Sequence, residues 1–539
     1  MDRFDAVVIG GGHNGLVAAA YLARAGWAVC VCERSDEVGG CVRTEELTLP
    51  GYRHDVMASW HPLFHLSEAF RELGPELADH GLAYCNTEDW TTATVRADGG
   101  AVIGHRDPGV TVEGFSEADG QAYMRELEGF GARAELVGRL MGTELHSATA
   151  ARLVGKLGLQ LERRSRSRFA ADLVASCRAW LESRFEGREP GDLFAPWVLH
   201  TGLDPDAAGG GFLTLAIAAT PHAVGMPTVA GGGGNFAAAF RSLIEAHGGE
   251  FRTGTEVEEI RVRNGRAAAV VAGGEEIACA RAVIANTTPT QLHGRLLRNS
   301  PATGAEAEAA MRFRYSRRAG MQVHVALSAP LRWRDSRLDR VPVVHLADGI
   351  DQVALACAES AVGLLPRKPT VVVGQPTVLD PSRVPQGAGL VWIQLMEVPR
   401  APIGDAAGEI DTNGAWEEAV TEAYVERVLE RLRPHVANLD EDRLAVRTVD
   451  PRELEERNPN LVHGDFYGGD AALDQSYLWR PVAGFGSHRT AVEGLYQCGA
   501  STFPGPGLNA ASGRIVAQAA LAERSRIAGF RRRIARGRA

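Results

Sequence analysis

The sequence predicts an α/β fold built around a Rossmann-like unit that binds a dinucleotide, and three observations lead to this prediction. The first lies in residues 7–33, where an apolar run, clustered glycines, a helical pattern, a second apolar run and an acid follow one another. The second is a glycine turn followed by a helix and a strand over residues 230–251. The third is a loop rich in glycine and proline that precedes a helix from about residue 509.

The N-terminal glycines have G-x-G-x-x-G spacing, and each has an expected role. Gly10 makes a tight turn, Gly12 lets the backbone approach a pyrophosphate, and Gly15 lets the helix pack close to the strand. The helix N-terminus offers free N–H groups and partial positive charge to the phosphates. Glu33 ends the second strand, where its carboxylate can accept hydrogen bonds from a ribose diol. The alternative is a βαβ unit whose glycines serve only packing.

Composition and charge favour some classes of protein and argue against others. The 539 residues are 45% hydrophobic and 23% charged, which is typical of a soluble globular enzyme. The net charge of −10 argues against a nucleic-acid-binding protein. We find no run of about 18 uncharged apolar residues, so we expect no transmembrane helix. Because the chain enters its first strand at once, we also expect no signal peptide and a cytoplasmic location.

The eight cysteines are scattered and form no C-x-x-C pair. This spacing predicts neither a zinc site nor a thioredoxin-like centre. Cys30 and Cys32 lie in the second strand, where burial in the sheet explains them. We therefore expect buried thiols and no metal site.

A helical section is expected from about residue 114 to residue 185. Within it, one helical face combines Phe169, Leu173, Cys177, Trp180 and Leu181. The basic run RRSRSR, residues 163–168, comes just before this face. Two interpretations are open: the helix packs on its own domain with a solvated arginine face, which we favour, or it lies on a membrane surface.

The last 16 residues, from Arg524, hold seven arginines and no acid. Such a tail is usually disordered and solvated. A membrane-surface role is the alternative.

The centre of the chain reads as strands and one clear helix. Three short strands are expected over residues 255–285, with turns at 264–265 and 273–274. Further on, strands are expected at 322–327 and 391–396 and a helix at 415–432.

Four stretches together resemble a known family. They are GGGHNGLVAAAYLARAG near the start, ERSDEVGG after the second strand, GLYQCGASTFPGPG near the end, and NPNLVHGDFYGGDAALDQSYLWRPVAGFGSHRT at residues 458–490. The chain resembles the phytoene desaturase-type FAD-dependent oxidoreductase superfamily, and within it the branch named pyridine nucleotide-disulfide oxidoreductase domain-containing protein 2. The resemblance implies an FAD-binding domain built from separated segments, with an inserted α+β substrate domain. The expected FAD-domain segments are 1–80, 225–300 and 481–523, the substrate-domain segments are 81–224 and 301–480, and the basic tail is 524–539.

The resemblance also implies which residues contact a non-covalent FAD. The expected set is Gly10, Gly12 and Gly15 at the pyrophosphate, Glu33 at the adenosine ribose, Gly39, Gly40 and Arg43 towards the ribityl chain, Val257 at the adenine, and Ser501, Gly507, Leu508 and Asn509 at the isoalloxazine. The family often has a histidine where this chain has Phe503. The chain lacks the C-x4-C pair and the second dinucleotide fingerprint of disulfide reductases, which argues against bound NAD(P).

The function implied is that of an FAD-dependent dehydrogenase or desaturase that takes a hydride from a small, largely apolar organic substrate. A reduced-FAD-dependent isomerase or saturase is one alternative, and a non-catalytic, flavin-binding, membrane-associated assembly factor is another. For the one proton to be managed, the candidates are His61, His463, Asp465 and Tyr477. The alternative for each of them is a structural hydrogen bond.

Overall fold

The described part of the chain is organised by two seven-stranded β-sheets. The computed structural model describes residues 2–160, 163–300 and 304–536. In chain order the strands are β1 (Arg3–Ile9), β2 (Val29–Cys32), β3 (Thr44–Glu45), β4 (His54–Asp55), β5 (Tyr84–Cys85), β6 (Trp90–Val95), β7 (Ala101–His105), β8 (Thr228–Val229), β9 (Glu250–Arg252), β10 (Val257–Arg263), β11 (Arg266–Ala272), β12 (Glu275–Ala285), β13 (Arg318–Leu327), β14 (Val343–Leu346), β15 (Leu364–Leu365), β16 (Val371–Gly374), β17 (Gly389–Pro399), β18 (Gly404–Asp405), β19 (Arg443–Val449) and β20 (Leu495–Gln497).

Helices connect and cover these sheets. In chain order they are α1 (His13–Arg24), α2 (Pro62–Leu66), α3 (Glu68–Asp79), α4 (Pro108–Thr111), α5 (Glu117–Met141), α6 (Ala148–Gln160), α7 (Arg163–Asp172), α8 (Cys177–Arg184), α9 (Glu189–Phe194), α10 (Gly210–Val224), α11 (Gly234–Ala246), α12 (Pro289–Gln291), α13 (Gly304–Ala310), α14 (Ile350–Ala361), α15 (Glu418–Leu432), α16 (Leu439–Asp442), α17 (Pro451–Arg457) and α18 (Ala511–Arg536). Within these described residues no helix is both long enough and apolar enough to cross a membrane.

The first sheet has the order β10-β11-β12-β1-β2-β9, with β20 also beside β12. Strands β9, β2, β1, β20 and the second half of β12 are parallel, while β10 and β11 form the antiparallel excursion that the sequence predicts. The strand β1 is buried from Ala6 to Ile9, as expected for a strand covered on both faces. Segments from the start, middle and end of the chain therefore complete one Rossmann-like sheet.

The first helix and the last helix pack against each other on this sheet. The backbone N–H of Gly513 in α18 donates to Asn14 Oδ1 in α1 at 3.1 Å. A Cβ on Gly513 would lie 2.1 Å from the backbone oxygen of Asn14. Glycine is therefore required for the two helices to approach this closely.

The second sheet has the order β19-β13-β17-β16-β14-β6-β7. The expected strands at 322–327 and 391–396 lie within β13 and β17, which pair antiparallel. The expected helix at 415–432 is α15, which begins at Glu418, three residues later than predicted. Helix α15 packs on the sheet through Tyr424 and Val428, which are fully buried. This sheet and its helices form the second, α+β part of the molecule.

The single helical face predicted over residues 169–181 is wrong. Helix α7 ends at Asp172 and α8 begins at Cys177, so the pattern is divided between two helices. The side chain of Ser176 accepts a hydrogen bond from the backbone N–H of Ala179 and caps the second helix. Trp180 on α8 is buried, in agreement with packing on the protein's own core.

The expectation of a disordered tail is also wrong for the backbone as far as residue 536. Helix α18 continues past Glu523 and ends at Arg536, so most of the tail extends the last helix. Alanine and arginine are favourable helix formers, and no proline interrupts this stretch. The last three residues, 537–539, lie outside the described residues.

Candidate functional site

The N-terminal glycine loop adopts the tight turn that its spacing predicts. Gly10 has φ +91°, and Gly12 stands at the N-cap of α1. A Cβ on Gly15 would lie 2.2 Å from the Gly10 carbonyl oxygen, and one on Gly12 would lie 3.0 Å from Asn286 Nδ2. The loop and the helix thus leave no room for side chains at these positions, and the backbone of Gly10 and Gly12 lines a cavity.

A hydrogen bond connects the side chain of Glu33 to the same glycine loop. Its Oε2 accepts a hydrogen bond from the Gly11 N–H at 2.8 Å, and its Oε1 accepts one from the Ser35 N–H at 2.9 Å. The side chain is half-buried and lines a cavity. Because a carboxylate oxygen can accept more than one hydrogen bond, each oxygen retains capacity for a ribose hydroxyl.

The two glycines that end the ERSDEVGG stretch bring a second backbone segment close to the N-terminal glycine loop. Gly39 and Gly40 have φ +128° and +59°, and a Cβ on Gly40 would lie 3.1 Å from Gly12 Cα. Arg43 follows, lines the cavity, and has its nearest carboxylate contact with Glu45 at 3.4 Å. Among the described residues, Arg43 Nε is buried without a hydrogen-bond partner. A cradle that excludes Cβ atoms, beside an unsatisfied guanidinium donor, fits a phosphate group.

Val257 lies at the outer end of this region. It is buried at the start of β10 and lines the cavity together with Glu256 and Arg295. Arg295 donates to Glu256 Oε1 at 2.7 Å and to the Val257 carbonyl at 3.3 Å. The backbone N–H of Thr255 donates to the Glu33 carbonyl at 2.8 Å, so Val257 and Glu33 belong to the same end of the cavity.

The loop between β20 and α18, residues 498–510, which we call the C-terminal loop, contributes the opposite side of the cavity. Ser501, Gly507 and Leu508 line the cavity, and Gly507 has φ +103°. Asn509 instead accepts a hydrogen bond from the Ala511 N–H at 3.0 Å and supports the start of α18. Like Gly15 and Gly39, it shapes the site without belonging to the lining formed by the described residues.

One cavity of about 410 Å³ connects these elements with the second sheet. We call its first part the nucleotide end, lined by Gly10, Gly12, Glu33, Arg34, Gly40, Arg43, Glu256, Val257, Asn286, Arg295, Arg457, Asn460 and the C-terminal loop. We call its second part the aromatic chamber, lined by Trp60, Trp197, His200, Ile217, Thr220, Pro221, Met226, Val343, Val372, Trp392, Gln394, Phe466 and Tyr467. A cavity of this size is in the range of small-molecule and cofactor sites.

Three tryptophans shape the aromatic chamber. Trp60 and Trp392 pack edge to face with ring centroids 5.2 Å apart. Trp197 lies over His200, with ring centroids 4.6 Å apart. Strands β14, β16 and β17 supply Val343, Val372 and Trp392, and helix α10 covers the other side.

The two ends of the cavity differ in charge. The carboxylates and guanidinium groups that line it, as the described residues form it, all belong to the nucleotide end. In the chamber the polar side chains are His200, Thr220, Gln394 and Tyr467. Burial lowers the pKa of His200 to about 4, so this imidazole is neutral at pH 7.

The four acid–base candidates from the sequence are placed elsewhere. His61 is buried against Tyr84, with Nδ1 3.1 Å from the tyrosine hydroxyl, and burial lowers its pKa to about 3. Asp465 accepts hydrogen bonds from three backbone N–H groups and holds its own loop. His463 is exposed, and Tyr477 lies outside the chamber. The lining formed by the described residues includes none of the four, so their placement does not support a role in proton transfer.

Several residues of the site carried no recognisable sequence signal. Asn286 donates from Nδ2 to the Gly10 carbonyl at 3.3 Å and supports the glycine loop from β12. His488 Nε2 donates to the Phe503 carbonyl at 2.9 Å, and its Nδ1 lies 2.8 Å from Glu144 Oε2. Asn286 thus anchors the N-terminal glycine loop, and His488 anchors the C-terminal loop, each from a distant segment of the chain. The aromatic chamber was missed as well, because its tryptophans resemble ordinary core residues.

Comparisons with known proteins agree with this geometry. The family described as "Flavin containing amine oxidoreductase" matches residues 15–520. A protein of Rattus norvegicus named "Pyridine nucleotide-disulfide oxidoreductase domain-containing protein 2" is 27% identical over 95% of this chain and 92% of its own. One of the subunits of the limonene dehydrogenase of Castellaniella defragrans is 27% identical over 93% of this chain and 91% of its own.

A desaturase and a solved structure extend the comparison. The "Phytoene desaturase (neurosporene-forming)" of Cereibacter sphaeroides is 25% identical over 97% of this chain and 95% of its own. The structure of a putrescine oxidase variant superposes with a TM-score of 0.60 at 16% identity, over 97% of this chain and 99% of that chain. The structural likeness shows a common fold.

Proposed function

Because the chain belongs to the flavin-containing amine oxidoreductase family and is an FAD-dependent oxidoreductase, we propose that it dehydrogenates an uncharged, largely apolar organic substrate held in the aromatic chamber. The observation that carries this proposal is the composition of the chamber wall. It combines three tryptophans with aliphatic side chains and, among the described residues, contains no carboxylate and no cationic side chain. Such a wall binds apolar surface by removing it from water.

The same wall disfavours a protonated amine. Moving an ammonium group out of water without a paired anion costs several kcal/mol or more. The cavity carboxylates, Glu33 and Glu256, belong to the nucleotide end. Relatives are named for the dehydrogenation of limonene and the desaturation of phytoene, which supports an apolar substrate here too.

At the nucleotide end, the chain's own groups fit FAD. We propose that Glu33 accepts hydrogen bonds from the adenosine ribose and that the Gly10–Gly12 backbone and Arg43 contact the phosphates. Val257 would cover the adenine, and Ser501, Gly507 and Leu508 would face the isoalloxazine. Gly15, Gly39, Gly40 and Asn509 keep these elements in position through the close contacts described above. When bound, FAD supplies the acceptor for a hydride.

The chamber residues would orient the substrate and exclude water. Trp60, Trp197 and Trp392 present large rigid surfaces whose packing lets an apolar molecule lie in few orientations. Gln394 and Thr220 offer polar groups that select one end of the substrate from the other. A flavin-binding assembly factor without turnover has no need of such a chamber.

A further part of the proposal is peripheral contact with an anionic membrane, which would deliver an apolar substrate. Helix α6 exposes Val154 and Leu159, which are 53% and 79% accessible, beside the exposed Arg152 and Lys156. An apolar ridge flanked by cations is suited to a lipid surface. The side chain of His146, just before α6, lies 2.9 Å from the Leu478 carbonyl, which brings the exposed Trp479 to the same region. Val154→Asp/Leu159→Asp should then lower flotation with anionic liposomes.

The experiment that tests the function is anaerobic flavin bleaching. The purified protein should be yellow, should release FAD on denaturation, and should be bleached by limonene or phytoene in detergent but not by putrescine. Bleaching by putrescine alone would contradict the proposal and would indicate an amine oxidase. A preparation that remains colourless after incubation with FAD would contradict the cofactor as well.

A further inference from the structure

A single glutamine interrupts the sheet side of the aromatic chamber. Gln394 lies on β17, which is an inner strand of the second sheet, between β13 and β16. Every residue of this strand is buried except Gln394, which is half-buried. The opposite face of the strand is covered, because Ile393 and Leu395 belong to the hydrophobic core that α15 completes. Since Gln394 lines the cavity, its accessible part faces the chamber.

The pairing of the strands shows which side chains are neighbours of Gln394. It stands opposite Val372 on β16 and opposite Gln322 on β13. Paired residues of antiparallel strands point to the same face of a sheet, with Cβ atoms about 4.5–5.5 Å apart. Val372 lines the chamber too, whereas Gln322 is completely buried and lies outside the lining formed by the described residues. Gln394 therefore stands at the border between the chamber and the packed interior.

The side-chain amide of Gln394 differs from the other polar groups of the chamber. Each of the other three contacts a group of the protein: His200 Nε2 lies 3.1 Å from His345 Nε2, Thr220 Oγ1 donates to the Ala216 carbonyl at 2.8 Å, and the Tyr467 hydroxyl donates to the Leu199 carbonyl at 2.6 Å. The Gln394 amide has no partner among the described residues. Gln322 does not take this role, since its own amide nitrogen and oxygen are buried without a hydrogen-bond partner.

An unpartnered amide makes the chamber selective. When a hydrocarbon enters and displaces water, the Gln394 amide loses its hydrogen bonds to water and gains none. A ligand with an oxygen opposite the amide replaces these hydrogen bonds. Because an amide both donates and accepts, the oxygen of an alcohol or of a ketone fits. An ionised carboxylate does not fit, since the described residues place no cationic side chain in the chamber wall.

We propose that the side-chain amide of Gln394 binds an uncharged oxygen of the substrate, and that the preferred substrates are alcohols or ketones with an apolar carbon skeleton. This inference rests on the proposed function and narrows the substrate class named there. The aromatic and aliphatic wall binds the skeleton by removing it from water, and the hydrogen bond to Gln394 fixes its orientation. Gln394 thus determines specificity and takes no part in hydride transfer.

The first test compares three ligands that share one carbon skeleton. p-Menthane has no oxygen, menthone has an acceptor only, and menthol has a donor and an acceptor. Calorimetric titration of the holoenzyme, with its flavin reduced by dithionite so that it cannot accept a hydride, measures the dissociation constants. Gln394→Met keeps the length of the side chain and removes its polar atoms. We expect it to weaken the binding of menthol and menthone about tenfold and to leave p-menthane bound at least as tightly as in the wild type.

Two control variants separate this effect from a change in packing. Val372→Ala shortens the neighbouring apolar side chain and should weaken all three ligands by a similar factor. The exposed Gln386→Met should bind them like the wild type. If Gln394→Met changed the affinity for p-menthane, menthone and menthol by the same factor, the amide would not recognise the oxygen and the proposal would be overturned.

The second test reads the hydrogen bond directly in the wild type. Menthone labelled with ¹³C at its carbonyl would be bound to the holoenzyme and observed by NMR. We expect the carbonyl signal to lie downfield of its position in hexane, as a hydrogen bond from the amide requires, and to return towards that position in Gln394→Met. A hexane-like signal in the wild type, or a signal unchanged by Gln394→Met, would overturn the proposal.

The two proposals fail in different ways. If limonene does not bleach the flavin but menthol and menthone bind through Gln394, dehydrogenation of limonene-like substrates is wrong and the oxygen site stands. If limonene bleaches the flavin and the three ligands lose affinity equally in Gln394→Met, the proposed function stands and the oxygen site is wrong. If the wild type binds none of the three ligands, both proposals are wrong.

Discussion

The two ends of the cavity use opposite chemistry. The nucleotide end relies on backbone geometry and charge: the close approaches of Gly10, Gly12 and Gly40, the carboxylate of Glu33 and the guanidinium of Arg43. The aromatic chamber relies on large uncharged side chains, and His200 in its wall contacts the buried His345. The first end is suited to one defined ligand, and the second to a class of apolar molecules.

This difference indicates how strictly each end of the cavity selects its ligand. A carboxylate with two fixed hydrogen bonds, as in Glu33, tolerates little change in its partner. Apolar walls discriminate weakly, since one methylene changes binding by only ~1–3 kcal/mol. The comparison therefore predicts that substitutions at the nucleotide end remove the cofactor, whereas substitutions in the chamber change the substrate and leave the cofactor in place.

The largest effect should come from Gly15→Val. Its side chain would begin 2.2 Å from the Gly10 carbonyl oxygen, so α1 must move away from β1 and distort the loop. We expect bound FAD to fall below one tenth of the wild-type amount, as measured by flavin absorbance per protein. Gly131→Val in α5 is the control, because no atom lies within 4 Å of its Cβ position. Full FAD content in Gly15→Val would contradict the role of this contact.

On the chamber side, Glu397→Gln should change the pH dependence of stability. Burial raises the pKa of Glu397 from 4.5 to about 7, and its Oε1 accepts a hydrogen bond from the Thr370 N–H at 2.6 Å. Between these pH values the unfolded chain releases the proton while the folded protein retains it. Stability is therefore fully present below pH 4.5 and falls by about 2–3 kcal/mol as the pH rises to 7.

The glutamine variant should lack this fall. Denaturant unfolding at pH 4.5 and pH 8 would measure it, with the exposed Glu430→Gln as the control. If the free energy of unfolding changed by the same amount between pH 4.5 and pH 8 in the wild type and in Glu397→Gln, the buried carboxyl would not retain its proton. FAD content should be the same in all three proteins.

Glu33→Arg should weaken FAD binding at least tenfold. A hydrogen bond to a charged group contributes about 1.5–3 kcal/mol, and the substitution places a donor of opposite charge where an acceptor stood. The dissociation constant can be measured by fluorescence of FAD titrated into the apoprotein. Glu46→Arg, an exposed reversal of charge nearby, should bind FAD like the wild type. Equal affinity in the two variants would remove Glu33 from the ribose site.

Gln394→Glu should weaken substrate binding and leave FAD binding unchanged. A carboxylate in the chamber must lose water when an apolar molecule enters, so we expect KM for limonene to rise about tenfold. FAD content should not change, since the residue lines the chamber and not the nucleotide end. The exposed Gln386→Glu is the matched control. Loss of FAD in Gln394→Glu would show that the two ends are not independent.

The smallest effect is expected from truncation after Glu523. This cut retains the Glu523 carboxylate, which accepts a hydrogen bond from the Tyr496 hydroxyl at 2.6 Å. FAD content and turnover should stay at wild-type values, while flotation with anionic liposomes should fall if the arginine-rich end binds them. Loss of FAD would show that the end of α18 stabilises the sheet.

The meeting of the glycine loop with Glu33 could be predicted from the sequence because these residues are encoded locally. Gly10, Gly12, Gly15 and Glu33 lie within 24 residues, and their spacing follows from the geometry of one turn. The chamber is assembled from β14, β16, β17 and α10, from the 3-10 turn that carries Trp197, and from loops that carry Trp60, Met226 and Phe466. Its tryptophans are indistinguishable from core residues until the chain is folded. The break between α7 and α8 at Ser176 depends on a single cap, which helical periodicity does not register.

The contact between Asn14 and Gly513 also has a consequence for synthesis. The first strands and α1 leave the ribosome long before β20 and α18 exist, so the sheet stays without its last strand and α1 without its cover. A nascent chain must therefore wait for nearly all of its sequence before the N-terminal glycine loop and the C-terminal loop meet, and pairings between such distant segments form slowly. Acquisition of the flavin thus becomes an event that follows translation, and products of interrupted translation would be delivered to chaperones and proteases without it.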